Sequence, residues 1–156
     1  MNDTARDTPS PQTVAERVAA AMYESDTATK SMGMTLDAVA PGFARMSMTV
    51  RDDMLNGHKT CHGGYIFALA DSAFAFGCNT YNKVTVGQGC EINYLTPGRV
   101  GDVLTAECHE QAVAGRSGVY DVKVTNQNGD LIALFRGKSR RIQGDIIPGL
   151  TSGDGT

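Results

Sequence analysis

The chain has 156 residues and carries 14 Lys+Arg against 17 Asp+Glu, a formal net charge of −3. That length suits one domain with a real core and leaves no room for two, and 41% apolar with 20% charged residues excludes wholesale disorder. The acidic balance, with a pI near 5.5, argues against a duplex nucleic-acid binder, which needs a basic face to displace counterions.

In chain order, residues 1–10 are polar, lack an apolar signal segment and read as a disordered leader. Ser10-Pro11 supplies a helix cap and first turn, and Val14, Val18, Ala21 and Met22 then recur at helical spacing to about Glu24. Residues 34–39 read as a strand closed by the turn dipeptide Pro41-Gly42. Ala44, Met46, Met48 and Val50 alternate with Arg45, Ser47, Thr49 and Arg51, the period of a half-buried strand, so the two strands form a hairpin. Gly63 to Asn79 is apolar on nearly every side and predicts a helix buried all round. Such a helix is about 25 Å long, the width of five or six strands at ~4.8 Å spacing.

Strand signals resume at 86–94, 102–113, 119–126 and 131–142, with Asn128-Gly129 as a strong hairpin turn. Residues 144–156 read as a Gly-rich flexible tail, which leaves 11–143 as one domain. The 18 glycines fit a turn-rich, strand-rich chain. The predicted class is α+β: an antiparallel sheet curled around one hydrophobic helix, a hotdog architecture. Cys61, Cys78, Cys90 and Cys108 follow no secretory segment and read as reduced thiols of a cytoplasmic protein. The longest apolar stretch is too short to span a membrane and contains Asp71.

Asp71 is the most informative residue. It lies beyond the first helical turn, where the dipole would favour an anion, and a lone carboxylate buried there costs several kcal/mol unless bonded or neutralised. Either it reaches water or a backbone partner through a gap, or it is functional. Cys61-His62-Gly63-Gly64 opens the same helix. Glycine there exposes free N–H groups to negative charge, as an oxyanion hole for an acyl carbonyl requires; the plain alternative is a glycine turn with no ligand. Asn56-Gly57 is either a turn or a holder of a water or carbonyl. His58, Cys61 and His62 lack a fourth partner at zinc spacing, so no metal or cofactor is expected. Arg136, Lys138, Arg140 and Arg141 alternate on an edge-like strand, as a solvated face or a seat for one phosphorylated ligand.

Residues 56–64 (Asn-Gly-His-Lys-Thr-Cys-His-Gly-Gly), Leu69-Ala70-Asp71 and Ala73-Phe74-Ala75 closely resemble the hotdog thioesterases of bacterial phenylacetate degradation, the PaaI family. Tyr94-Leu95-Thr96-Pro97-Gly98 and residues 134–139 match as well, and the resemblance covers roughly 30–142. It implies hydrolysis of aryl-acyl-CoA thioesters, with hydroxylated phenylacetyl-CoA compounds as substrates. Asp71 falls at the family's catalytic acid and Gly63 at its thioester-polarising glycine. Asn56 falls where the carbonyl or water is placed, with His62 beside them and Gly64 next in the substrate-binding turn. Arg116 and Ser117 match a region near the CoA phosphates. The hydroxyl often found one turn after the acid is replaced by Ala75. An enoyl-CoA hydratase of the same fold would need a histidine converging on Asp71, and none follows it at helical spacing. A non-catalytic acyl-CoA sensor would gain little from a buried acid.

Gly63 and Asp71 are eight residues apart, about 12 Å along a helix axis and roughly 80° around it. A reacting carbonyl sits ~3 Å from both its donor and its attacking group. The spacing therefore predicts a homodimer whose antiparallel central helices place Gly63 of one chain opposite Asp71 of the other, and the resemblance implies doubling to a homotetramer.

Overall fold

The computed structural model describes residues 8–153. The expected leader falls largely on residues 1–7, outside the described residues. The first helix, α1 (Pro11–Ser25), starts where Ser10 accepts from the Thr13 N–H at 3.1 Å, with Pro11 in the first turn. A second helix absent from the sequence reading, α2 (Thr27–Ser31), is capped by Asp26, which accepts from Thr29 N–H at 3.0 Å and Thr29 Oγ1 at 2.6 Å.

Next come β1 (Thr35–Ala40) and β2 (Phe43–Thr49), the expected hairpin. The long helix α3 (Gly63–Asn79) follows, then β3 (Lys83–Tyr94), β4 (Val103–Ala114), β5 (Ser117–Thr125) and β6 (Leu131–Asp145). The six strands form one antiparallel sheet in the order β1-β2-β4-β5-β6-β3. The sheet wraps α3, as the hotdog reading expects. β6 is therefore central rather than edge-like, because β3 returns to pair with it; the true edges are β1 and β3.

Alternation along β2, β4, β5 and β6 sends one face inward. Met46, Met48, Leu104, Ala106, Val122, Val124, Ile132 and Phe135 pack around Leu69, Ala73 and Phe74 of α3 in one core. The Phe74 ring meets Tyr120 at 5.7 Å and Phe135 at 5.8 Å between centroids. A Cβ on Gly137 would lie 2.7 Å from that ring, so only glycine lets β6 pass over it. α3 is not buried all round: Gly64, Ala68, Asp71, Ser72 and Ala75 form a partly exposed stripe at helical spacing.

The segment after β6 is also not loose as far as residue 153. Buried Asn82 donates to the carbonyls of Ile147 (2.9 Å) and Leu150 (2.8 Å) and accepts from the Ile147 N–H at 2.8 Å. Leu150 packs on Val14 and Val18 of α1, and Gly153 N–H donates to Pro9 O at 3.1 Å. Apolar Ile146, Ile147 and Leu150 within a glycine-rich stretch strap this segment over α1. Residues 154–156 lie outside the described residues. Among the described residues no helix is long and apolar enough to cross a membrane.

Candidate active site

The start of α3 is built by a tight loop. Asn56 Oδ1 accepts from the N–H groups of His58 (2.9 Å) and Thr60 (3.2 Å), and its Nδ2 donates to Thr60 Oγ1 at 3.1 Å. Asn56 thus organises its own turn, the plainer of its two readings, while still lining the cavity beside Gly63. Lys59 takes φ +60° at the tip of this loop. His62 is the N-cap: its Nδ1 accepts from the Gly64 N–H at 2.9 Å. The Tyr65 N–H goes to the His62 carbonyl at 3.0 Å. The Gly63 N–H precedes both and, as the first helical donor, has no intrahelical acceptor.

Gly63 opens into a cavity of about 320 Å³ shared with Asn56, Thr60, Cys61, Ile66 and Tyr94. Asp71 opens into a different one, of about 620 Å³, lined by Phe67, Phe74, Ala75, Gln88 and Cys90 among others. One chain therefore does not bring the two groups into a single site. Burial pushes the Asp71 carboxyl above the usual carboxylate range. Among the described residues no Lys, Arg or His lines its cavity, and the Cys90 thiol stands 4.0 Å from its Oδ1.

Cys61 is an unsuitable nucleophile: burial first, and the charge of Asp102 second, push its thiol up to about 11. Among the described residues no three His, Cys, Asp or Glu side chains gather as a metal set. Arg116 and Ser117 sit at the β4–β5 turn beside Arg140 and Arg141. Along β6 that point is seven residues from Ala133, which pairs with Tyr94 beside Gly63, or about 23 Å. Of the basic residues on β6, Arg136 is engaged by Asp121 at 2.6 and 2.8 Å. Arg141 stacks 5.5 Å from the Tyr81 ring.

The sequence reading missed two residues of this region. Cys90 and Tyr94 both lie in an alternating strand, and nothing in alternation tells that this strand crosses α3 beside Asp71 and ends over Gly63.

The thioesterase superfamily model matches residues 58–133. The acyl-coenzyme A thioesterase PaaI of Escherichia coli (strain K12) is 47% identical over 126 residues, covering 81% of this chain and 90% of that protein. The chain belongs to the PaaI family of hotdog thioesterases. It is accordingly a thioester hydrolase.

The solved structure of the E. coli PaaI protein superimposes with a TM-score of 0.86 at 45% identity, over 87% of this chain and 99% of that one. A Streptococcus mutans UA159 protein bound to acetyl-CoA matches with a TM-score of 0.68 at 28% identity, over 72% of this chain and 90% of that one.

Proposed function

We propose that the chain hydrolyses aryl-acyl-CoA thioesters of the phenylacetyl type, hydroxylated ones included, to free acid and CoA in phenylacetate catabolism. The observation that carries this reading is Asp71: a carboxylate raised by burial, with no cation against it, in a cavity walled by Phe67 and Phe74. The aromatic wall suits an aryl group beside the scissile bond. The relative from E. coli is named an acyl-CoA thioesterase, and acetyl-CoA is bound in the S. mutans relative.

In the mechanism that fits, the thioester carbonyl oxygen accepts from the Gly63 N–H, which stabilises the developing oxyanion. Asp71 either takes a proton from water as its oxygen bonds to the carbonyl carbon, or attacks that carbon itself and is later released by water. In both routes the C–S bond breaks and the CoA sulfur leaves, taking a proton. Asn56 and His62 shape the Gly63 end. Arg116 and Ser117, beside Arg140, supply the proposed phosphate contact.

Because Gly63 and Asp71 open into separate cavities, the complete site needs two copies. The open stripe of α3 is small-residued apart from its acid, so a second helix can approach closely. β3 is a twelve-residue edge strand, largely exposed, that passes both Cys90 and Tyr94; such an edge invites pairing with another copy. A homodimer with two shared sites, doubled to a homotetramer and working in the cytoplasm, is the assembly proposed.

Incubation with phenylacetyl-CoA and a thiol reagent tests the function. Release of free CoA, faster than from aliphatic acyl-CoA esters, is expected. Tight binding without release would replace this reading with a non-catalytic acyl-CoA sensor.

A further inference from the structure

The peptide unit joining Gly63 to Gly64 is gripped at both ends. Its carbonyl oxygen accepts from the Tyr94 hydroxyl at 2.9 Å, and its N–H donates to His62 Nδ1 at 2.9 Å. The two partners come from different directions, since His62 precedes the helix and Tyr94 ends β3. The hydroxyl end of the Tyr94 ring also lies close against Gly63: a Cβ at that position would stand 3.0 Å from its Cζ. Yet Tyr94 is 51% exposed, so core burial does not account for its place. Its phenol is raised by partial burial and stays a donor.

We propose that Tyr94 and His62 are positioning residues that clamp the Gly63–Gly64 peptide and so hold the adjacent Gly63 N–H in line with the thioester carbonyl. This rests on the reading of Gly63 as the polarising donor. Two successive glycines are the least restrained start a helix can have, whereas an oxyanion donor lowers the barrier only when it is oriented beforehand. A carbonyl oxygen has two lone pairs, so the phenol adds a restraint to the first helical turn without displacing a helix bond. The ring against the Cα closes the remaining freedom. Together the contacts turn a flexible Gly-Gly into a fixed donor while keeping the open backbone that substrate approach requires.

The carbonyl stretch of bound substrate reads this directly. The full-length protein carrying Asp71→Asn is saturated with phenylacetyl-CoA labelled with carbon-13 at the carbonyl, and the infrared band is compared with that of free ligand. Binding is expected to lower the band frequency. Adding Tyr94→Phe, which keeps the ring and removes the hydroxyl, is expected to remove at least half of that shift. In the Asp71-containing enzyme the same change should lower kcat about tenfold, short of the loss from deleting a donor outright, with KM within about twofold. His62→Ala should act similarly, and the double variant should be less than additive because both act on one peptide. An unchanged band shift and kcat in Tyr94→Phe overturn the clamp, as does a lower Tm with the band shift intact, which would mark a purely structural role. A parent that binds with no band shift at all overturns the Gly63 reading instead.

Discussion

Cys90 of β3 faces Asp71 of α3 across the concave side of the sheet, with 4.0 Å between its Sγ and the Asp71 Oδ1. The thiol is itself raised, by burial first and the Asp71 charge second, so it remains protonated and offers a weak donor. At that length the contact does not offset the burial of the carboxyl, whose affinity for its proton stays above the ordinary aspartate value of 3.8.

Asp71→Asn is expected to keep the fold and ligand binding while lowering kcat at least ~100-fold, the scale of a lost general base. In the unaltered enzyme, kcat/KM should fall on the acid side as Asp71 takes up its proton, with a midpoint above 3.8. A pH–rate series on a single aryl-acyl-CoA measures both. Near-normal turnover in the variant removes Asp71 from the mechanism.

The same burial has a consequence for stability, with a definite sign. A carboxyl raised on folding binds its proton more tightly in the native chain than in the unfolded one. Its contribution is fully present below the unfolded value and lost as pH rises through the native value. Asp71→Asn should therefore be more stable than the parent at neutral pH, by no more than about 1 kcal/mol since a partly exposed group is screened by water. The gap should close below pH 3.8. Denaturant titrations at pH 7 and under acid decide it; a variant less stable at pH 7 contradicts the assignment of burial as the cause.

Asn82 is expected to be the fastening of the C-terminal strap. Asn82 is buried and makes three bonds of 2.8–2.9 Å to Ile147 and Leu150, and its φ of +60° is one that glycine also adopts. Asn82→Gly removes the bonds without backbone strain and should cost about 2–3 kcal/mol, the scale of buried polar groups left unpaired. Limited proteolysis should then cut after β6 before it touches the sheet. Unchanged stability would mean that Leu150 on α1 holds the strap alone.

The strap shows where a sequence stops being legible. Composition changes abruptly at Gly63 and at Asn79, so the bounds of α3 are readable, and its one acid is conspicuous because nothing around it in sequence is charged. Alternation reveals strands but not neighbours: Arg136 looks the same on an edge as beside Asp121, and only the return of β3 to β6 makes the strand central. α2 has no apolar repeat, and its sole signal is the Asp26 cap. Ile146, Ile147 and Leu150 were diluted by glycine and proline. Asn56 fits both its readings in sequence, and only its loop bonds show that it holds the turn. Cys90 and Tyr94 acquire meaning only from the tertiary crossing of β3 over α3.

The assembly can be tested without any knowledge of the preferred acyl group. Gly63→Ala puts a Cβ 3.0 Å from the Tyr94 ring and disturbs the donor, while Asp71→Asn removes the acid; each homo-oligomer should be nearly inactive. Co-expressed with different tags, the two variants form mixed dimers. If each site takes Gly63 from one chain and Asp71 from the other, one of the two sites in a mixed dimer carries both lesions and the other carries none. About half of the parent activity per dimer should then return. If each site were built within one chain, every site would keep a single lesion and mixing would restore nothing. The Gly63 and Asp71 cavities are separate in one chain, which is why recovery is the expected result. Its absence in verified mixed dimers would exclude shared sites while leaving the thioesterase family assignment in place.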